Sequence, residues 1–156
     1  MDPEQRRRLV ERDKRYVWHP YTPMEAYVRD GRPLVIERAS GARLYDVDGR
    51  SYLDGNASWW TSLLGHNHPR LVGALTQQAA RLCHTSLAGV THQPAVDFAE
   101  ALVARAPDGL EHVFFSDNGS TAVESAIKLA IQYWYQQGRP EKSHFLSLED
   151  AFHGET

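Results

Sequence analysis

Apolar positions recur at helical spacing in three places. From Pro69 to about Cys83, the residues Leu71, Val72, Leu75, Ala79 and Leu82 share one face. Pro94 opens a second helix through Phe98, Leu102 and Val103, closed before Pro107-Asp108-Gly109. A third and longer helix carries Val123, Ala126, Ile127, Ala130 and Trp134. Glu124 and Lys128 form an i,i+4 pair on it in the favourable order, and Gly138 then Pro140 end it. Leu34 to Leu53 reads differently, as a small β-meander. Val35 and Glu37 alternate around Ile36, Gly41 breaks the run, and Leu44-Tyr45-Asp46-Val47, the turn Asp48-Gly49 and Tyr52-Leu53 follow. Residues 1 to about 33 combine a short charged helix with an irregular, aromatic-rich stretch, and Ala57 to His68 reads as a loop. This divides the chain into an N-terminal segment with the meander, 1–60, and the beginning of an α/β domain, 61–156.

Two short apolar runs flank the long helix, Val113-Phe114-Phe115 and His144 to Leu148. Strand, crossover helix, strand is the signature of a parallel α/β sheet, whose ligands gather at the C-terminal strand ends. The turn from Ser116 to Ser120 occupies one such end, and Glu149 to His153 the other. The first turn of a helix offers unpaired N–H groups and the positive end of the macrodipole. Gly119 lets an anion approach the backbone, while Ser120 and Thr121 add hydroxyl donors, a combination that suits a phosphate. Read locally, such residues are more often a plain helix cap, with Asn118 or Ser120 at the N-cap. One pair of parallel strands is not a stable sheet by itself, so the layout is incomplete.

Composition narrows the class further. Seventeen basic against 20 acidic residues give a net charge of −3, which provides no nucleic-acid surface. The basic cluster Arg6 to Arg8 reads as a solvated helix face. No apolar run approaches the roughly 18 residues of a membrane span, and no apolar core follows the N-terminal arginines as in a secretory signal. The single cysteine, Cys83, cannot form an internal disulfide and reads as a small buried hydrophobe; a reducing, cytoplasmic setting is the expectation.

Several segments occur in the order of a known family: Trp18-His19-Pro20-Tyr21-Thr22-Pro23-Met24, Ala57-Ser58-Trp59-Trp60, Gly65-His66-Asn67-His68-Pro69, Thr91-His92, Asp117-Asn118-Gly119-Ser120 and Phe152-His153-Gly154-Glu155-Thr156. The chain resembles the N-terminal portion of the class III aminotransferases, pyridoxal-phosphate enzymes of fold type I. The first two segments point to the branch acting in biotin synthesis. The resemblance implies that pyridoxal 5'-phosphate is the cofactor, held at its phosphate by Gly119 and Ser120, with Phe152 against its ring. It implies that Tyr21 and Trp59 line the pocket of a long keto-amino acid, 8-amino-7-oxononanoate, with S-adenosylmethionine as amino donor and a homodimer as the working form. An aromatic wall with an indole N–H suits an aliphatic chain carrying polar ends.

Phe152 stands where the family pattern has tyrosine, and Glu155 where it has aspartate. A transaminase also needs a Schiff-base lysine and an acidic partner for the pyridinium nitrogen. The resemblance implies that both lie beyond the His-Gly-Glu-Thr segment. Of the three lysines, Lys14 belongs to a charged helix, Lys128 to its pair with Glu124, and Lys142 to a polar loop. Asp117 belongs to the phosphate turn.

Other constellations read as structural. His66 and His68 have a metal-like spacing but no cysteine or carboxylate cluster beside them. His92 and His153 read as hydrogen-bonded structural residues. Tyr133 and Trp134 on the long helix read as core and interface, and Trp60 as a packing residue facing away from Trp59. Two further readings stay open: another class III aminotransferase acting on an ω-amino acid, and a truncated, non-catalytic chain.

Overall fold

The computed structural model describes residues 1–155. The chain divides into two compact units, Met1–His84 and a second from Thr85 onward. The division falls inside the segment that the sequence pattern assigns to 61–156.

The first unit opens with α1 (Pro3–Tyr16). Asp2 caps it by accepting from the Gln5 N–H at 2.8 Å, and the Gln5 side chain accepts from the Asp2 N–H at 3.3 Å. The helix α2 (Met24–Asp30) is tied to α1 by polar contacts. Lys14 Nζ donates to the Val28 carbonyl at 3.1 Å, and the Tyr27 hydroxyl donates to Asp13.

The expected meander is present. Strands β1 (Ile36–Ser40), β2 (Arg43–Asp46) and β3 (Ser51–Leu53) form an antiparallel sheet in the order β1-β2-β3. The register slips between Ile36 and Arg38, where one extra residue breaks the β1–β2 ladder. Asp46 organises the β2–β3 turn. Its carboxylate accepts from the N–H groups of Asp48 and Arg50, from Arg50 Nε and from the Tyr52 hydroxyl, at 2.8 to 3.0 Å. Burial opposes ionisation of this carboxyl, but the hydrogen bonds from Tyr52 and Arg50 outweigh it and hold its pKa down at about 2. Gly49 supplies the positive φ that the turn requires.

Next comes α3 (Ala57–Trp60), a single helical turn where the sequence pattern predicts a loop. It is followed by α4 (Pro69–Arg81). The second unit contains α5 (Gln93–Val103) and α6 (Gly119–Gln136). Proline lies in the first turn of α4 and α5, where its missing N–H costs nothing. Lys128 reaches Glu124 at 2.7 Å on α6. That helix ends in a Schellman motif: Gly138 takes a positive φ, and Arg139 N–H donates to the Trp134 carbonyl at 2.9 Å.

The strands expected at 112–115 and 144–148 do not form a ladder among the described residues. A strand exists through its hydrogen-bonded neighbours, and one crossover unit supplies too few of them. Phe115 stacks on Phe98 of α5 at 6.0 Å, but Phe114, Phe145, Leu146 and Leu148 remain exposed. This is general. No hydrophobic residue among the described residues is buried; Asp46 is buried, at 3% exposure. Cys83, expected inside, is exposed, because α4 ends before it with no second layer over its apolar face. Trp60 is likewise exposed rather than packed, at 79%.

A chain with no buried apolar cluster has little to offset the entropy of ordering its backbone. The isolated 156-residue chain is therefore expected to melt without a sharp transition by circular dichroism and to bind a hydrophobic dye. A steep two-state melt of the monomer would contradict this.

Candidate functional site

In the second unit, the first turn of α6 and the segment after residue 150 line one cavity of about 370 Å³. Its walls include Gly119, Ser120, Val123 and Phe152. The local reading of a helix cap and the reading of an anion cup are compatible, because different donors serve each. Asn118 is the cap: its side chain accepts from the Thr121 N–H at 3.0 Å, and its own N–H donates to Thr121 Oγ1 at 3.3 Å. Thr121 Oγ1 in turn donates to Asp117 at 2.6 Å. That hydrogen bond leads the interactions holding the Asp117 carboxyl below the usual carboxylate range. Thr121 is thus spent inside the chain and does not add the free hydroxyl expected of it.

The N–H groups of Gly119 and Ser120 make no hydrogen bond among the described residues. A Cβ placed on Gly119 would meet nothing within 4 Å, so the space over the helix start is open. Ser120 Oγ accepts from the Glu155 N–H at 3.0 Å, which leaves its own proton for an acceptor. Two orphan N–H groups, one hydroxyl proton and the helix dipole around open space form a cradle that fits a phosphate. The Phe152 ring in the same cavity fits the aromatic part of a phosphorylated cofactor.

Sequence reasoning missed the residue that brings these parts together. Gly154 has φ +118°, and a Cβ there would sit 2.8–2.9 Å from Ser120. Only glycine permits both the backbone angle and the approach. The signal was the glycine beside His153. Thr156, the last residue of that motif, lies outside the described residues.

In the first unit, the two residues expected to line a substrate pocket meet. The rings of Tyr21 and Trp59 stack, with centroids 5.3 Å apart and planes 13° from parallel. Both residues have positive φ, 50° and 66°. Trp59 belongs to α3, in which Ala57, Ser58, Trp59 and Trp60 all have positive φ. The turn is closed by Trp60 N–H to Asn56 O at 2.8 Å and Thr61 N–H to Ala57 O at 3.0 Å. It is therefore wound left-handed, which costs roughly 1–2 kcal/mol per residue for side chains with a Cβ. Such strain persists only where surrounding contacts impose it, and it concentrates at functional sites.

The contacts that impose it come from Asp54. One carboxylate oxygen accepts from the Ser58 N–H at 2.9 Å; the other accepts from Ser58 Oγ at 2.7 Å and faces His66 Nε2 at 2.7 Å. The hydrogen bonds from Ser58, then that from His66, hold this carboxyl at about 2. The Gly-His-Asn stretch anchors the arrangement to the meander. Gly41 and His66 exchange backbone hydrogen bonds of 3.0 and 2.8 Å, and Asn67 Nδ2 donates to the Ala39 carbonyl at 2.7 Å. Gly65 has φ +82°, and its Cβ would meet the Gly41 backbone at 3.1 Å. Among the described residues no group of three His, Cys, Asp or Glu side chains that could hold a metal ion occurs.

Each lysine is engaged elsewhere: Lys14 with the Val28 carbonyl, Lys128 with Glu124, and Lys142 over the Trp134 ring at 3.5 Å.

A family profile for aminotransferase class III matches residues 26–156. The chain belongs to the class III aminotransferase family. Its relatives include an adenosylmethionine-8-amino-7-oxononanoate aminotransferase of Aquifex aeolicus, 43% identical over 92% of this chain and 32% of that protein. The crystal structure of the enzyme of that name from Methanocaldococcus jannaschii superposes with a TM-score of 0.92 at 39% identity, over 97% of this chain and 34% of the other. An omega transaminase from Pseudomonas jessenii, solved in complex with PMP, gives a TM-score of 0.89 at 34% identity, over 95% and 33%. The fold is that of the type I transaminases, and the chain spans about a third of the length of the curated relatives it matches. No helix among the described residues is long and apolar enough to cross a membrane.

In a full-length aminotransferase carrying this segment, Gly154→Ala is expected to push residues 153–155 off Ser120. Amide exchange at Glu155 should accelerate and phosphate-bearing cofactor should bind more weakly, by about tenfold for a lost hydrogen bond and a displaced ring. Unchanged exchange and affinity would show that the close approach is dispensable.

Proposed function

We propose that this chain is the N-terminal part of a pyridoxal-phosphate transaminase of biotin synthesis. The intact enzyme converts 8-amino-7-oxononanoate to 7,8-diaminononanoate, with S-adenosylmethionine as amino donor, and works as a homodimer. The observation that carries the reading is the cavity at the start of α6, where free donors and an aromatic ring converge. The names of the relatives support the substrate assignment.

In this reading, the Gly119 and Ser120 N–H groups and the Ser120 hydroxyl hold the cofactor phosphate. Phe152 covers the pyridine ring and excludes water from it, without the phenol hydrogen bond that tyrosine would add. Pyridoxal phosphate, when bound, supplies the electron sink for amino-group transfer. Tyr21 and Trp59 present an apolar face to the aliphatic chain of the keto-substrate, and the indole N–H meets a polar end. No lysine of this chain is assigned to proton transfer.

Omega transaminases among the structural relatives favour one competing reading, an enzyme acting on ω-amino acids. Assaying the full-length enzyme for amino transfer from S-adenosylmethionine to 8-amino-7-oxononanoate, and from an ω-amino acid to a 2-oxo acid, decides between them. Turnover of the first pair alone is expected; preference for the second pair would overturn the assignment. Trp59→Ala in that enzyme is expected to raise KM for the keto-substrate by about tenfold or more while cofactor affinity stays within about twofold. Unchanged substrate kinetics would remove Trp59 from the pocket.

A further inference from the structure

We propose that Asp54 is the positioning residue for Trp59, clamping the left-handed α3 turn to His66 and so fixing the plane of the indole against Tyr21. As a statement about substrate selection, this rests on the reading of Trp59 as a wall of the substrate pocket.

The structure supplies an unbroken chain of contacts. The meander holds the His66 backbone through Gly41. The His66 ring lies 2.7 Å from Asp54 Oδ2. A carboxylate only accepts, so Nε2 carries a proton toward Asp54, and Nδ1 lies 3.4 Å from Ser62 Oγ. Asp54 then grips Ser58 twice, at its N–H and at its hydroxyl. Ser58 is the residue before Trp59, and both lie in left-handed backbone at φ 49° and 66°. The Asp54 and His66 side chains are largely shielded, at 7% and 16% exposure, whereas Trp59 is 58% exposed. A shielded polar clamp behind an exposed aromatic is the arrangement of a support behind a contact surface. Asn56 adds a weaker bond from behind, accepting from the Trp59 N–H at 3.3 Å.

Relaxation of α3 toward the right-handed region would turn the Cα–Cβ bond of Trp59 away from Tyr21 and break the stack. Asp54 therefore acts on substrate through Trp59 and is not itself a catalytic residue. Asparagine at position 54 would bring an amide N–H₂ either against the Ser58 N–H or against the Ser58 hydroxyl and His66 Nε2 together, so one side of the clamp must open.

The test uses the full-length, cofactor-loaded enzyme. The near-UV circular dichroism of the Tyr21–Trp59 pair is first assigned with Trp59→Phe. Asp54→Asn is expected to lose that signature while far-UV circular dichroism is retained. KM for 8-amino-7-oxononanoate should rise about tenfold with kcat within about twofold, the mark of lost substrate positioning. Adding Ser58→Gly to Asp54→Asn should recover part of both, because glycine enters left-handed backbone without the clamp. His66→Gln, which keeps a donor toward Asp54, should perturb less than His66→Ala. An Asp54→Asn enzyme with an unchanged near-UV signature and unchanged KM overturns the proposal. If Trp59→Ala leaves KM unchanged, the substrate reading fails, and the near-UV comparison alone then decides whether the clamp exists. If Asp54→Asn does not fold, Ser58→Ala, which removes one of the three Asp54 contacts, carries the same two readouts.

Discussion

The carboxylate of Asp54 takes hydrogen bonds from the backbone and side chain of Ser58 and from His66, and that junction holds the turn that carries Trp59. A left-handed turn of four residues bearing side chains has no intrinsic stability. It exists here because a shielded anion gathers its donors on one side while the Gly65–Asn67 stretch is pinned to the meander on the other. The aromatic pair Tyr21–Trp59 is a consequence of that geometry.

Asp46 repeats the theme within the meander. It is buried, it accepts from two backbone N–H groups and two side chains, and it holds the β2–β3 turn. With no apolar side chain buried among the described residues, polar pins of this kind carry the local order. Ionised carboxylates are effective in this role because each oxygen accepts more than one bond, and charge-assisted bonds are stronger than neutral ones. Apolar residues of α4, α5 and α6 stay exposed among the described residues, and this chain spans about a third of its relatives' length.

The second unit builds its site with less. Asn118 and Thr121 satisfy each other at the head of α6, and this leaves the Gly119 and Ser120 N–H groups for an anion. Gly154 brings the Phe152 segment onto Ser120 through a contact that no side chain would allow. The separation of capping donors from unpaired donors explains how one short turn closes a helix and still leaves N–H groups facing open space.

Much of this was legible in the residues. Periodicity located α4, α5 and α6, and alternation with an Asp-Gly turn located the meander, because both patterns are local. Strand-end topology brought the Ser116–Ser120 turn to the Glu149–His153 segment, while the individual roles of Gly119, Ser120 and Phe152, and the shared pocket of Tyr21 and Trp59, came from family order. The sequence could not reveal that 112–115 and 144–148 lack ladders, because a strand is made by neighbours and not by its own pattern. Nor could it reveal the left-handed winding of Ala57–Trp60, since no residue there prefers that region. That conformation is imposed by Asp54 and His66, and only the tertiary structure brings the His66 ring to Asp54, twelve residues earlier in the chain, through the backbone bridge between Gly41 and His66.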